Sequence, residues 1–391
     1  NGGALAKALQ MDMGNSALLE QLVNTNPRLQ QICAAALEEP YDEMLLEHFL
    51  FLRSAKRGEY VEAYSHCERA CACFQQIFEK DTSWSMPALH TLNLSLRLAA
   101  AAADKELAAS GVKDSKLQEA ARVLQRSFQV TITDRSPLPV SKKWGALGVI
   151  NTLFKIYFSI NNLRLCQNLI RAVEGPAFPK ALNGETVEGR RFKLSELVTY
   201  KYFVGRLSLL NSQFTRAERE LSFAFERCPR HMTHNKRLIL RYLVPVRMAL
   251  GVFASAQLLQ KYKLDYYIPI CRAVHAGHVS AFEAELAKHQ RLFIRHGSYL
   301  LVERSKLIAY RNFFRKVHEL HADKTTRLDV STFKRCFNAT GIEMDVDEIE
   351  CVLANLIYSG YIKGYISHQH GKLVVSKGNA FPPLRDVLGE S

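Results

Sequence analysis

The sequence YIKGYISHQHGKLVVS occupies residues 361–376 and contains two short β-prone stretches separated by a turn. In residues 361–366 and 372–376 the apolar positions follow the two-residue period of a half-buried strand. The tetrapeptide His368–Gly371 lies between these stretches and is expected to turn the chain. The segment therefore predicts a β-hairpin.

Two helices are predicted immediately before this hairpin. The stretches from Ser331 to about Ala339 and from about Asp345 to Tyr358 have a helical period, and Arg327–Val330 ahead of them is β-prone. Helix, helix and hairpin in this order predict a winged helix over residues 325–377. Such modules dock on proteins and nucleic acids and rarely perform chemistry.

The second predicted helix has one apolar face and one acidic face. Its apolar residues recur at helical spacing, and Gly360 is expected to end it. The apolar residues are Ile349, Val352, Leu353 and Leu356. No Lys or Arg occurs between Gly341 and Ile362, whereas five acidic residues do: Glu343, Asp345, Asp347, Glu348 and Glu350. Because phosphates bind cations, such a helix would be repelled from the DNA major groove, and sequence-specific DNA recognition is not expected.

The chain has 391 residues, of which 48% are apolar, enough for two or three domains. No stretch is apolar for the roughly 20 residues of a membrane span. No secretory signal is visible at the N-terminus, although without an initiating Met we expect the numbering to begin inside a longer chain. The nine cysteines are odd in number and irregularly spaced, which argues against a disulfide framework and favours a reducing compartment. The clustered thiols of Cys67, Cys71 and Cys73 are expected to be buried or half-buried.

The positive charge is concentrated in the middle of the chain. The formal net charge is +14, and residues 196–300 hold 16 Lys and Arg against 7 Asp and Glu, which is about two thirds of the excess. This distribution indicates an anionic partner, either nucleic acid or an acidic protein, although solvated helix faces would produce part of it.

Almost everything before residue 325 is predicted to be helical. Small residues and a proline follow Gly205 at the offsets of a tetratricopeptide-like helix pair, and they are Ala217, Leu221, Ala224 and Pro229. We therefore predict a mainly α fold, an α-solenoid of TPR-like helical hairpins followed by a C-terminal winged helix. The predicted segments are 1–195 (N-terminal repeats), 196–300 (a second set of repeats) and 301–391 (coupling helix, winged helix and tail).

A single long helix from about Leu300 to Leu320 is expected to couple the solenoid to the winged helix. Its apolar residues are Leu307, Tyr310, Phe313, Phe314, Val317 and Leu320. Arg304, Arg311 and Arg315 fall on the other side. These arginines are either a solvated face opposite a core or a basic ridge for an acidic partner or an RNA backbone.

Helical repeats that lead into a winged helix are the plan of PCI domains, and specific motifs strengthen this resemblance. The sequence resembles the PCI-domain-containing protein 2 and Thp-type branch of that family from about residue 40 to Pro383. The motifs are PYDEM at 40–44, SKKWG at 141–145, YKYFVGR at 200–206, LSFAFE at 221–226, LANLIY at 353–358, KGYISHQH at 363–370 and KLVVSK at 372–377.

The resemblance implies a non-catalytic scaffold subunit of a nuclear, transcription-coupled mRNA export complex at the nuclear pore. Its partners would be a GANP/Sac-type PCI scaffold protein and a DSS/Sem-type small acidic protein. The two winged helices together would bind RNA or DNA backbone without sequence specificity. Signalosome-subunit-12-like proteins share these motifs, so a signalosome-like or splicing-linked adaptor that acts by protein docking is the alternative.

Two sets of candidate residues follow from the charge pattern and the resemblance. The acidic-partner set is Arg237, Arg241, Arg247, Lys261, Tyr262, Lys263, Arg304, Arg311 and Arg315, with Tyr266 and Tyr267 as further aromatic candidates. The nucleic-acid set is Lys334, Arg335, Lys363, His368, His370, Lys372 and Lys377, for which we expect salt-sensitive phosphate contacts. The alternative for the first set is that core tyrosines lie beside solvated basic residues.

No motif predicts an enzyme, a cofactor or a metal site. The sequence has no P-loop, no Gly-x-Ser-x-Gly and no His-Glu-x-x-His. The cluster at His66–Cys73 lacks a second ligand pair, and His368 and His370 lack a third ligand. We therefore expect a non-catalytic protein that has no cofactor, no small-molecule substrate and no membrane partner.

Overall fold

The computed structural model describes residues 1–10, 28–321 and 325–389. Within these ranges it consists of helices and one three-stranded sheet, which confirms the predicted fold class. The chain divides into two compact units, Asn1–Tyr200 and Lys201–Ser391. The predicted division into three segments remains a prediction.

In the described residues of the first unit all the regular elements are helices, and the last of them, α9, continues into the second unit. Its helices are α1 Gly2–Ala8, α2 Leu29–Ala36, α3 Tyr41–Arg57, α4 Tyr60–Lys80, α5 Met86–Ala109, α6 Lys116–Ile132, α7 Ala146–Ser159, α8 Arg164–Glu174 and α9 Leu194–Leu210. The aromatic core of this unit includes Phe51, Phe74 and Phe78, each at most 1% exposed. Cys67, Cys71 and Cys73 are buried free thiols of α4, as predicted for this cluster.

The second unit contains the remaining helices and the sheet. The helices are α10 Phe214–Arg227, α11 Thr233–Ala249, α12 Ala256–Lys261, α13 Tyr267–Ala276, α14 Val279–Lys288, α15 Gln290–His296, α16 Tyr299–Glu303, α17 Ser305–Leu320, α18 Val330–Ala339, α19 Val346–Tyr358 and α20 Leu384–Gly389. The strands are β1 Arg327–Asp329, β2 Gly364–Ser367 and β3 Lys372–Val375. All three pair antiparallel, with β3 in the centre.

The helix pair predicted around Gly205 is present as α9 and α10. Gly205 lies directly against Leu221: a Cβ atom at Gly205 would be 2.6 Å from the Leu221 Cγ atom. Ala217, Leu221 and Ala224 are fully buried along α10, which ends at Arg227 just before Pro229. The absence of a side chain at residue 205 therefore allows the two helices to approach closely.

The predicted coupling helix is two helices rather than one. The helix is interrupted at Arg304. Here the Leu307 amide bonds to the Arg304 carbonyl at 3.3 Å, which tightens the turn to three residues. Leu320, predicted to belong to the apolar face, is 84% exposed at the end of α17. The other predicted apolar residues of α17 contribute to the core, apart from the half-buried Leu307.

The winged helix is present with its predicted order, and α19 has defined ends. Asp345 caps α19 by accepting a hydrogen bond from the Glu348 amide at 2.7 Å, while the Glu348 carboxylate accepts one from the Asp345 amide at 3.0 Å. At the other end Gly360 has a φ of 76° and the Tyr361 amide bonds to the Leu356 carbonyl, a Schellman cap.

The first strand of the hairpin begins later than predicted. The amides of Tyr361 and Ile362 both bond to the Leu356 carbonyl, at 2.8 and 3.2 Å, so they cannot join the sheet. Strand β2 therefore starts at Gly364, where a side chain would overlap the Val374 carbonyl. The predicted turn is a short 3-10 segment, His368–His370, and Gly371 after it has a φ of 57°.

Candidate nucleic-acid and acidic-partner surfaces

The predicted nucleic-acid residues lie at three places on the winged helix. Lys334 and Arg335 are on α18. Lys363 and Lys377 are exposed at the base of the hairpin, where the Ser376 amide bonds to the Lys363 carbonyl at 2.9 Å. The remaining three residues, His368, His370 and Lys372, are at or beside the hairpin turn. The base of the hairpin is thus basic and solvent-exposed.

The hairpin turn, by contrast, is attached to the acidic helix. The Nδ1 atom of His368 lies 2.7 Å from a carboxylate oxygen of Glu350, and this hydrogen bond raises the pKa of His368 above its ordinary value. His370 Nδ1 lies 3.0 Å from the Ser367 hydroxyl, and the Lys372 ammonium lies 3.7 Å from Asp329. Because the Glu350 carboxylate already pairs with the His368 ring, the positive charge of this histidine would be neutralised and would attract a phosphate only weakly.

Two arginines of the acidic-partner set form a polar cluster with residues of later helices. Arg237 and Arg241 are one turn apart on α11. The positive charges of both act on the ionisation of the Tyr266 and His296 side chains. Burial lowers the pKa of His296, and the positive charges of Arg241, Arg295 and Arg237 lower it further. Burial also raises the pKa of Tyr266, although the two arginines of α11 oppose this effect. We call Arg237, Arg241, Tyr266 and His296 the arginine cluster.

The arginine cluster contains buried polar atoms that lack partners. The Nε atoms of Arg237 and Arg241 and the His296 Nδ1 atom are buried without a hydrogen-bond partner among the described residues, and the Tyr266 hydroxyl has no such partner besides the adjacent Arg241. Neither arginine forms an ion pair with a described carboxylate. Buried polar groups are usually hydrogen-bonded, so unpaired donors beside uncompensated positive charge are suited to an external anion.

The framework around the cluster is fixed by hydrogen bonds between helices. The Tyr267 hydroxyl donates to the Arg241 carbonyl at 2.9 Å, and the Tyr242 hydroxyl donates to the His296 carbonyl at 2.7 Å. The Tyr266 ring packs edge-on against Phe293, with centroids 5.6 Å apart. These contacts hold the arginine-bearing helix against the elements that carry Tyr266 and His296, so the cluster is preorganised.

The other predicted acidic-partner residues already have internal roles or lie apart from the cluster. Arg247 bonds to Glu218 at 3.1 Å, Arg304 to the Ser212 hydroxyl at 3.1 Å and Arg315 to Glu319 at 3.3 Å. Lys261 and Lys263 are exposed. Tyr262 is only 7% exposed and packs edge-on against Phe225, so the prediction that it receives a partner is wrong: it is a core residue.

Arg311 requires a second correction. It is 4% exposed, and its guanidinium donates to the carbonyls of Phe381 and Pro382 at 3.0 and 2.8 Å. Burial lowers its pKa to about 10. Arg311 therefore binds the C-terminal segment of its own chain, and the basic ridge predicted for Arg304, Arg311 and Arg315 does not form.

The comparisons with known proteins place this architecture in a family. The PCI domain model matches residues 286–377. The chain is 41% identical over 372 residues to PCI domain-containing protein 2 of Xenopus laevis, with 93% of this chain and 90% of that protein covered. It is 43% identical over 373 residues to PCI domain-containing protein 2 of Danio rerio, with the same coverage. The chain belongs to the PCI domain-containing protein 2 family.

This PCI protein also has more distant relatives. It is 30% identical over 406 residues to Protein CSN12 homolog of Mycosarcoma maydis, with 91% of this chain and 87% of that protein covered. The PCI match includes the winged helix and His296, whereas Arg237, Arg241 and Tyr266 precede it. The arginine cluster thus joins the matched segment to the repeats before it.

Family membership supports a scaffold role for the chain. None of the helices described for this PCI protein combines the length and apolar character that crossing a bilayer requires. Within the same residues, no three His, Cys, Asp or Glu side chains are arranged to hold a metal ion.

Sequence reasoning missed His296 as a member of the arginine cluster. His296 is 55 residues away from Arg241 along the chain, and no local spacing connects the two. The charge excess in residues 196–300 was the available signal, since it contains Arg237, Arg241 and Arg295. The predicted nucleic-acid set also omits Tyr365 and Arg327, two exposed residues of the sheet. Alternation along the predicted strand would have placed Tyr365 on the same face as Lys363.

Proposed function

We propose that this chain is a non-catalytic scaffold subunit of a nuclear, transcription-coupled mRNA export complex. In that complex it pairs with a GANP/Sac-type PCI scaffold and with a DSS/Sem-type small acidic protein, and it associates with nuclear pores. The membership of the chain in the PCI domain-containing protein 2 family supports the scaffold role.

The observation that carries the proposal is the arginine cluster. Two arginines and a histidine have buried nitrogen atoms without partners, on a framework already fixed by hydrogen bonds. A carboxylate-rich peptide would supply the missing acceptors, and charge-assisted hydrogen bonds of this kind are strong. An acidic protein that is disordered when free can follow such a surface as an extended chain.

Nucleic acid is the second ligand in this proposal, and it contacts the winged helix. Lys363 and Lys377 at the hairpin base offer exposed charges for phosphates, whereas α19 is acidic and would avoid them. The contacts would position a backbone without reading bases. The proposal therefore predicts binding that weakens with salt and depends little on sequence.

The test of the acidic-partner site is a charge reversal in the full chain. We expect Arg237→Glu/Arg241→Glu to weaken binding of a recombinant DSS/Sem-type protein by about tenfold or more, because charge-assisted hydrogen bonds are worth about 1.5–3 kcal/mol each. Binding would be measured by isothermal titration calorimetry. Arg230→Glu/Arg272→Glu, a pair of exposed arginines outside the cluster, makes the same charge change and should bind like the unsubstituted chain.

Equal losses in the two double variants would show that net charge alone drives binding and would overturn the assignment of the cluster. Unchanged binding in both would remove the acidic protein as a partner of this surface. Circular dichroism melting curves for both variants establish that each is folded before the affinities are compared.

The signalosome-subunit-12-like adaptor is a second candidate, favoured by the similarity to Protein CSN12 homolog. Affinity purification of the tagged chain from nuclear extract, with and without RNase, separates the two candidates. Recovery of a GANP/Sac-type scaffold and a small acidic protein after RNase treatment supports the export complex. Recovery of signalosome or splicing subunits in their place supports the adaptor.

A further inference from the structure

The three-stranded sheet of the winged helix has one buried face and one solvent face. Leu328, Leu373 and Val375 are at most 4% exposed and form the inner face. The pairing register fixes which residues share the outer face. We call this surface the outer sheet face, and its residues are Arg327, Asp329, Lys363, Tyr365, Ser367, Lys372, Val374 and Ser376.

Tyr365 is the unusual residue on this face. Its side chain is 62% exposed, and no ring of the described residues packs against it. The register places Tyr365 opposite Val374, and Val374 opposite Arg327, so the three form one row across the sheet. Tyr365 therefore lies beside an aliphatic side chain on the solvent face of the sheet, and its exposed ring is available to another planar group.

Positive charge surrounds this ring. Lys363 lies two residues earlier and extends the same pairing through the bond of its carbonyl to the Ser376 amide, Arg327 is at the far end of the row, and Lys372 is a diagonal neighbour. Of these three cations, only Lys372 forms an ion pair with a described carboxylate, that of Asp329 at 3.7 Å. An isolated exposed tyrosine needs no explanation, but a ring among three cations matches the composition of surfaces that stack single-stranded bases.

We infer that the outer sheet face binds single-stranded nucleic acid, with one base stacked on Tyr365 and the flanking phosphates on Lys363, Arg327 and Lys372. This inference rests on the nucleic-acid binding proposed above and specifies its substrate. A duplex does not satisfy the geometry, because its bases are already stacked on each other. Entry of the winged helix into a duplex groove through α19 would also bring acidic side chains against phosphates.

The test compares single-stranded and duplex RNA on the full chain. We expect Tyr365→Ala to weaken binding of a fluorescent 20-nucleotide oligouridylate by about tenfold, in the range that loss of one stacked base gives. Tyr365→Phe keeps the ring and should bind normally, whereas Tyr365→Leu keeps apolar bulk without a ring and should bind like Tyr365→Ala. Tyr358→Ala is the matched control, since Tyr358 is 93% exposed on the acidic helix.

The salt dependence separates stacking from phosphate contacts. Tyr365→Ala should leave the slope of log Kd against log salt unchanged, because no phosphate contact is lost. Lys363→Ala should reduce that slope by about 0.7, the value for one phosphate of a single strand. Binding of a duplex of the same length should be unaffected by Tyr365→Ala.

Each result has one meaning. If the unsubstituted chain binds neither RNA, the proposed nucleic-acid function fails, and the inference fails with it. If it binds with a slope that Lys363→Ala reduces, but Tyr365→Ala has no effect, the function stands and stacking is wrong. An equal loss for single strand and duplex also excludes base stacking. If Tyr365→Ala leaves RNA binding intact but removes the PCI scaffold in a pull-down, the outer sheet face is a protein interface.

Discussion

His368 joins the hairpin turn to α19 through a hydrogen bond to Glu350, and the pKa of its ring responds to that bond. The Glu350 carboxylate favours the charged ring, and this raises the pKa of His368. The stability that the contact contributes is therefore fully present below the ordinary pKa of 6.5 and is lost as pH rises through the raised value. We predict that a proton NMR titration finds the His368 pKa above 6.5. Glu350→Gln should return it towards 6.5, because the carboxylate charge is removed.

Glu343→Gln is the control for this titration. It removes one negative charge from the residues before α19 without touching the His368 ring, so the His368 pKa should stay raised. A His368 pKa at or below 6.5 in the unsubstituted chain would show that the hydrogen bond does not form in solution.

At the scale of elements, the contact of α9 with α10 depends on the missing side chain at Gly205. We predict that Gly205→Ala lowers the free energy of unfolding by about 1–3 kcal/mol, the usual cost of overpacking. The clash with Leu221, including its backbone amide at 3.3 Å, outweighs the gain of up to about 1 kcal/mol in helix propensity. Urea unfolding followed by circular dichroism measures the difference.

Gly378→Ala provides the comparison, since no atom lies within 4 Å of a Cβ placed at that glycine. Its unfolding midpoint should match that of the unsubstituted chain. If Gly205→Ala is as stable as Gly378→Ala, the two helices have room to separate, and the close approach is not required.

The same elements show how far local sequence patterns lead. The offsets after Gly205 predict the α9–α10 pair because close packing imposes small residues at fixed intervals. The hairpin and α19 are also predictable, since their periods and caps are local. The start of β2 was missed because the amides of Tyr361 and Ile362 are used by the helix cap. Arg311 lies one helical turn after Leu307, and helical periodicity cannot show that the carbonyls of residues 381 and 382 cover its guanidinium.

The candidate site was less predictable than the fold. The charge excess in residues 196–300 indicated an anionic ligand, but it could not distinguish Arg237 and Arg241, which lack ion pairs, from Arg247, which is paired with Glu218. That distinction depends on which carboxylates lie nearby in space, and sequence spacing does not report it.

At the scale of the whole molecule, acid stability should depend on His48 in the first unit. This residue is 1% exposed, neither ring nitrogen has a described partner, and burial lowers its pKa to about 4. The unfolded chain therefore binds a proton more readily, and stability falls as pH drops below 6.5 towards 4. At pH 5 we predict a loss of about 2 kcal/mol from this residue.

Urea unfolding at pH 7 and pH 5 tests this prediction. His48→Leu cannot take up the proton, so its loss of stability between the two pH values should be smaller by that amount. Equal losses of unfolding free energy in His48→Leu and the unsubstituted chain would contradict the prediction. They would mean that His48 is protonated in the folded chain or that the unit opens locally around it.

The contacts of Arg311 have a practical consequence for how the molecule is divided. The similarity to the PCI domain covers residues 286–377, yet both backbone acceptors of Arg311 lie beyond it, at Phe381 and Pro382. The side chain of its neighbour Asn312 donates to the Val274 carbonyl, and Val274 precedes the first residue of the PCI domain match. A fragment cut at the limits of the PCI domain match would therefore keep a guanidinium that the fold buries and discard the groups that satisfy it. The boundary of the matched domain and the boundary of an independently folding piece do not coincide in this chain.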